Sequence, residues 1–532
     1  MNIAINIKNT LSNSRGWFLL CLSAIAIGLS LSKPLISLGL FALFVVWLID
    51  GNIPGKIKAF LANKTAVIIS SIYLISVLGL IHTSNFDYAF DDLRRKITIL
   101  ALPILITGFK PITKKELHFL LQLFTVSVLT STLWSLFVFL GGLNEEIVEI
   151  RALSRFTSHI RFGLAIALSA FFAVYFVIKE PSTTIKILWG LIFCWLIYSI
   201  VLFHLFTGGV AFVITVILLL FILGYNSKII LKKRVSLIVF STLVLFSIFY
   251  IRNIINDFYE AEQNTPLKEL AHTKYGERYS ASSNNIVNSS KENGFYINRN
   301  IAWSELENAW DKRSSLKFHA KDLKGQNLQE TLIRFITSKG LRKDREAIES
   351  LSQQEISAIE RGVPNYKYLE MNGFQIRIHK IVWEYNNYIK SNGKHVNGHS
   401  ILMRWEYWKT ALSIIKQHLV FGVGTGDVQD VFNQYYENNN SPLHLKNRLH
   451  SHNQMLTYGV SFGLIGVLWF LLCLALPFFR HQLLKNYIYL AFFILFMLST
   501  LTEDTLETQV GAAFFAFFNT LFLLHPKYQI TS

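Results

Sequence analysis

Long apolar blocks dominate this sequence, about twelve of them, joined mostly by short polar links. A helix needs about 20 apolar residues to cross a 30 Å hydrocarbon core. The blocks lie near residues 16–32, 34–49, 65–84, 96–108, 117–141, 160–178, 186–203, 208–224, 235–252, 455–478, 486–502 and 509–524. Only 16% of the 532 residues are charged, while 52% are hydrophobic and 43 are Phe. A soluble fold could not hide that much apolar mass, since soluble domains carry roughly 25% charged residues. The expected fold is an all-α integral membrane protein with about twelve transmembrane helices and one large, mostly helical loop. Three regions follow: 1–252 with about nine helices, the loop 253–454, and 455–532 with about three helices. The first block, Trp17 to Leu31, has no convincing small-residue cleavage site and reads as an uncleaved helix.

The net charge of +17 would suggest nucleic acid in a soluble protein, but there is no aromatic-basic interleaving to support that. Here the excess sits in alternate links, as expected for the cytoplasmic ends of membrane spans. Lys56, Lys58, Lys64, Lys110, Lys114, Lys115, Lys228, Lys232, Lys233 and Arg234 fall on one side. Asp87, Asp91, Asp92, Glu145, Glu146, Glu149, Glu503, Asp504 and Glu507 fall on the other. This places the large loop outside the cytoplasm. Arg94, Arg95, Lys96, Arg151, Arg155 and Arg161 break the pattern. They are either snorkelling cations or contacts for an anionic lipid head group. Cys21, Cys194 and Cys473 each lie within an apolar block, so no disulfide framework or metal spacing follows.

Within the loop, helices are expected near 302–313, 326–339, 343–361, 375–390, 402–417 and 427–437, with a flexible stretch at 276–294. Its end holds the candidate chemistry. Arg404 shares a helical face with Trp408, and a guanidinium offers paired donors matched to phosphate oxygens. Gly422, Gly424 and Gly426 lack the Lys-Ser or Lys-Thr of a nucleotide loop. They suit a tight turn, or a backbone cradle for a phosphate, with Asp427 as the cap of the next helix. His450 and His452 precede an apolar block at a spacing that puts both rings on one side of an extended segment. A histidine there, beside Asn453, is either interfacial or a general base. No third metal ligand at a sensible spacing is visible. Arg155 and His159 are one helical turn apart, and Arg161 sits almost inside the membrane, where an unpaired charge costs at least about 2–3 kcal/mol.

Arg404 with Trp408, the turn from Phe421 to Asp427, His452-Asn453, and Phe462-Gly463-Leu464-Ile465-Gly466 in the next helix form an ordered set. In that order they resemble the superfamily of O-antigen ligases and O-antigen polymerases of the bacterial envelope. The motifs cover about residues 400–470, and the multi-span architecture agrees. The resemblance implies transfer of a glycan from an undecaprenyl-diphosphate carrier to an acceptor at the periplasmic face of the inner membrane. The acceptor is the lipid A core for ligases, another carrier-linked repeat for polymerases, and a protein hydroxyl for some relatives. It implies no cofactor, metal or nucleic acid. It gives catalytic roles to His452 and Arg404, and substrate binding to Arg155 or Arg161, His159, Asn453 and Trp408. The long insertion, roughly 260–395, departs from the family and bears on the acceptor side. A lipid-glycan transporter is the competing class. Mostly charge-free spans, the lack of an internal repeat and candidate groups gathered at one face favour an enzyme.

The charge pattern predicts that Ser289→Cys is labelled by an impermeant thiol reagent in intact cells, while Lys232→Cys is protected. The reverse result would invert the drawing.

Overall fold

The computed structural model describes residues 14–143, 150–264, 267–268, 270–280, 290–394, 396–480, 484 and 486–524. Glu145, Glu146 and Glu149 lie outside the described residues, as do residues 281–289 of the polar stretch expected to be flexible. Among the described residues the regular structure is helical apart from one two-stranded ribbon, and the chain divides into two compact units. The first unit holds residues 1–143, 153–241 and 404–532, and the second 144–152 and 242–403.

In the first unit, α1 (Ser14–Leu31), α2 (Lys33–Ile49), α3 (Ile53–Ala62), α4 (Lys64–Leu78), α5 (Phe86–Thr107) and α6 (Lys114–Phe139) precede α7 (His159–Lys179), α8 (Thr183–Leu202) and α9 (Phe206–Tyr225). Helix α10 (Ile230–Glu262) runs on past the unit boundary at 241. Every apolar block coincides with a helix. Among the described residues, eight helices are long and apolar enough to cross a membrane, or nine if the bent pair α2 and α3 is one span. The expected count of twelve therefore does not follow from these criteria. Two late helices are shorter, as given below. The block expected at 96–108 belongs to α5, which starts ten residues earlier. Its first half carries Asp87, Asp91, Asp92, Arg94, Arg95 and Lys96. Asn85 accepts a hydrogen bond from the Tyr88 N–H and so sets that earlier start.

Polar side chains fix the helix ends because an apolar surround offers no water to satisfy them. A capping box between Thr113 and Glu116 opens α6. Glu116 also takes the Arg15 guanidinium, with Nε to Oε1 at 2.9 Å, which ties α6 to α1.

The second unit has its own core. The helices α11 (Trp303–Arg313), α12 (Leu328–Ser338), α13 (Arg345–Ser350) and α14 (Gln353–Glu360) pack around Leu306, Trp310, Phe318, Leu332, Phe335 and Ile348. Strands β1 (Lys291–Glu292) and β2 (Phe295–Tyr296) pair antiparallel, and α15 (Gly373–Lys390) follows. The expected helix at 343–361 is two helices, split at Leu351 and Ser352, because Ser352 starts a new capping box with Glu355.

Helix α16 (Ser400–Gln417) leads back to the first unit, followed by α17 (Val428–Asn438), α18 (Gln454–Arg480) and the shorter α19 (Tyr487–Thr502) and α20 (Gln509–Leu523). The compact first unit thus resumes at Arg404, fifty residues before the apolar helix that closes the loop in the sequence drawing. The glycine turn explains this. The Val423 and Gly424 N–H groups donate to the Val460 and Ser461 carbonyls, and Thr425 N–H donates to Gly79. Thr425 Oγ1 reaches the Ser76 carbonyl at 2.6 Å. These donors are occupied by the protein itself, which removes the phosphate-cradle reading. Asp427 does not cap α17 with its side chain. Its carboxylate accepts the Ser84 and Asn85 N–H groups instead. Helix α18 is broken at Gly463 (φ 62°, ψ −163°), where a Cβ would lie 2.2 Å from the Val420 carbonyl oxygen. The motif expected as a glycine-rich helix is therefore a kink against the end of α16.

Gly424 has φ +97°, and a Cβ there would lie 2.7 Å from Thr83 Oγ1. Gly424→Ala is expected to cost about 1–3 kcal/mol. Gly190→Ala, where a Cβ meets nothing within 4 Å, should be neutral or slightly stabilising. Thermal unfolding of the two variants in detergent checks the pair.

Candidate functional site

The link between α19 and α20 carries Glu503, Asp504 and Glu507, and the candidate cations gather on it. Arg404, near the start of α16, places Nη2 2.7 Å from Glu503 Oε1. His450 Nδ1 lies 2.6 Å from Asp504 Oδ2. His452 Nδ1 is 3.8 Å from both Glu503 Oε2 and Asp504 Oδ1. The two imidazole centroids are 5.4 Å apart, as the alternate spacing implies. Arg161, in the first turn of α7, is within electrostatic reach of both acids. Of the two arginines open as candidates, Arg161 shows this coupling. Arg155 is exposed in the preceding segment.

Several other expected residues hold the backbone beneath this cluster. Trp408 Nε1 donates to the Ser451 carbonyl at 3.0 Å, fixing the segment between the two histidines. Tyr407, one residue before it, hydrogen-bonds the Asn447 carbonyl and lies against the His452 ring. The Asn453 side chain accepts from the Met455 and Leu456 N–H groups and donates to the Leu501 carbonyl. It is the cap of α18 and a strap to the end of α19, with both ends of its amide engaged. His159 contacts Ser154 through Nδ1 and the His204 carbonyl through Nε2. His452 itself has φ +47°, a left-handed backbone that costs a non-glycine residue energy and collects at functional sites.

The electrostatics are unequal. Burial works against charge on His452, but the Asp504 and Glu503 carboxylates outweigh it and push the imidazole up to about 9. Burial likewise opposes charge on Asp504, yet His450 and His452 hold it well below the usual carboxylate range. A ring that stays charged at neutral pH does not accept a proton, so His452 is poorly placed as the general base. The donor atoms of His452, Glu503 and Asp504 lie within 4.8 Å of one another, close enough to share a divalent ion. Arg404 lies on one of the same carboxylates, paired with Glu503 at 2.7 Å.

A third acid sits deeper. Lys96 Nζ, almost fully buried, lies 2.7 Å from Asp92 Oδ2 and 2.6 Å from Glu507 Oε2. Gln454 donates to Glu507 and accepts the Leu506 N–H. This pins the acidic link to α5 and to the first turn of α18.

Residues 365–471 match the family model described as O-antigen ligase. Over these residues the chain is similar to the O-antigen ligase superfamily. No curated protein matches the chain. The matched segment holds Arg404, the glycine turn, His450 and His452, whereas Glu503, Asp504 and Lys96 lie outside it. Members of this superfamily are glycosyltransferase-like ligases and polymerases, which implies glycan and lipid-linked substrates. The sequence reading used Glu503, Asp504 and Glu507 only as markers of sidedness. The usable signal was three acids within five residues, between two apolar helices.

Sign and window follow for stability. The folded-state value of His452, about 9, exceeds the unfolded value of about 6.5. Its stabilising effect is complete below about pH 6.5 and is lost as pH rises through about 9. The unfolding temperature of the wild type should fall across that window more steeply than that of His452→Gln. Parallel curves would refute the charged ring.

Proposed function

We propose that this protein is a glycosyltransferase of the bacterial inner membrane, with its site on the periplasmic side. It moves a glycan from an undecaprenyl-diphosphate carrier to a hydroxyl of the lipid A core. The observation that carries this reading is the convergence of Arg404, His450, His452 and Arg161 on one pair of carboxylates. Arg161 and the two carboxylates lie far in sequence from Arg404 and the histidines, and a transporter or scaffold gives them no reason to meet.

In this reading the carrier's phosphates compete with Glu503 for Arg404 and His452. A guanidinium pairs with phosphate oxygens as it does with a carboxylate. The displaced Glu503 carboxylate then takes the proton of the acceptor hydroxyl. The hydroxyl oxygen bonds to the anomeric carbon, and the bond from that carbon to the bridging phosphate oxygen breaks. Its electron pair leaves with undecaprenyl diphosphate, whose growing charge is met by Arg404 and the His452 cation. His452 thereby changes from the expected base to a charged donor, and Glu503 becomes the proton acceptor.

Arg404→Ala should lower transfer by about 10²–10³, the loss typical of removing one donor to developing charge. Arg404→Lys should restore only part, because Lys lacks the planar fork. Wild-type transfer should fall as pH rises through about 9, when His452 loses its proton. His452→Lys should keep more activity there than His452→Gln. Transfer in reconstituted membranes with carrier-linked donor measures all four. A deletion strain should accumulate carrier-linked glycan and lack lipid A-linked glycan. Shortened glycans on lipid A would instead indicate a polymerase. Unimpaired transfer by Arg404→Ala would remove the diphosphate-clamp argument.

A further inference from the structure

The second unit carries a cationic cluster of its own, close to the membrane boundary. The unit begins within α10, whose apolar run leaves Leu245, Phe246, Ile248 and Phe249 exposed, as lipid-facing side chains are. That run ends at Tyr250 and Arg252, residue types that settle at head-group level. Tyr250 stacks on Phe374, with ring centroids 6.0 Å apart, and Asn372 Nδ2 donates to its hydroxyl at 3.2 Å. Asn372 also caps α15, accepting the Phe374 and Gln375 N–H groups. Helix α15 therefore starts at the level where the apolar run of α10 stops.

Lys380 lies six residues along α15 from Phe374, a rise of about 9 Å. Lys324, Arg334 and Arg377 are within electrostatic reach of it, and Glu384 opposes them. Most of these groups are engaged. Arg334 is paired with the buried Glu292 at 3.0 Å, and Glu384 faces His399 at 3.5 Å. Arg377 Nη2 bonds Ser400 Oγ at 3.2 Å, and Lys324 Nζ bonds the Gly362 carbonyl at 2.9 Å. Lys380 differs. Its ammonium lies 5.6 Å from the centre of the Tyr368 ring, and it has no hydrogen bond or ion pair among the described residues. It is half-buried, and burial with the three neighbouring cations pulls it down to about 8. A half-buried ammonium among like charges is costly unless a counter-ion joins it.

We propose that Lys380, with Lys324 and Arg377, binds the phosphomonoester head of a lipid in the adjoining leaflet. A phosphomonoester carries about −1.5 to −2 charges and three strong acceptor oxygens, which suits an ammonium whose donors are open. A phosphodiester head, with a single charge, leaves the cluster unbalanced. The head-group layer is about 5–8 Å deep on each side of the hydrocarbon core, so lipid phosphates lie within reach of Lys380. In the reading above this lipid is the acceptor, and the inference rests on that reading for the lipid's identity alone. The insertion at roughly 260–395 then selects acceptors by their phosphates.

The test uses the full-length protein in neutral micelles with short-chain phosphatidic acid, phosphatidylglycerol or inorganic phosphate, so that binding is scored apart from transfer. Phosphatidic acid should raise the wild-type unfolding temperature more than phosphatidylglycerol does, and inorganic phosphate should leave it unchanged. Without lipid, Lys380→Gln should be at least as stable as the wild type, because it loses no partner and relieves repulsion. Its retention of phosphatidic acid in native mass spectrometry should fall about tenfold and recover in Lys380→Arg. Equal shifts with the two lipids, or equal retention by wild type and Lys380→Gln, would overturn the site. A full shift with inorganic phosphate alone would overturn its lipid part. In the transfer assay, dephosphorylating the acceptor should raise its KM about tenfold for the wild type and leave Lys380→Gln indifferent. Selective phosphatidic acid binding without that KM change would overturn the acceptor identity and leave the lipid site standing. Binding without any transfer by the wild type would count against the transferase reading alone.

Discussion

Three carboxylates on the short link between α19 and α20 organise the cations of this membrane unit. Glu503 faces Arg404 and His452, Asp504 faces both histidines, and Glu507 faces Lys96. Removing charge from water costs several kcal/mol per ion even after relaxation. Each acid is therefore tolerated only with its partners in place, and each partner is held by a different helix or turn. Lys96 fixes the link to α5, Gln454 fixes it to α18, and Asn453 straps α18 to the end of α19. The arrangement specifies geometry more than it adds stability.

That geometry leaves the outer acids and the inner acid in different states. Glu503 and Asp504 share partners that are themselves partly accessible, so an incoming anion can take those partners over. Glu507 is enclosed, and burial raises its carboxyl above the usual range even with Lys96 beside it. The link thus has an exchangeable end and a fixed end. The chemistry assigned to Arg404 and His452 depends on the first, and the position of the whole link depends on the second.

Much of this was legible in the sequence where the physics is local. Apolar length located the long helices of the membrane unit but not the short α3, and turn residues located most of those in the loop. The Arg404 and His452 motifs were visible because they fall within one stretch of about fifty residues. The partner acids were not, because an ion pair between residues 404 and 503 leaves no mark in spacing. Asp427 was misjudged for the same reason. The residue type suits a helix cap, but the donors it meets are the Ser84 and Asn85 N–H groups, far back in the chain. The span at 96–108 was drawn from its apolar half alone, while Asn85 starts the helix in the charged half. His452 is read as a base from its ordinary titration range, and the two neighbouring carboxylates that raise that range leave no mark in its local sequence.

The glycine turn also governs the order in which the protein can be built. Its donors and acceptors join residues 76–85 to residues 422–427 and 460–461, across more than three hundred residues of intervening chain. Helices α4 and α5 leave the ribosome early, yet they receive this clamp only after the second unit has been made and α18 has entered the membrane. Domains tend to complete in order of synthesis, and contacts of such long range form late. Until then Lys96 has Asp92 on its own helix but lacks Glu507, the partner from the late link. A stop codon anywhere before Glu503 would leave a protein without its acidic link.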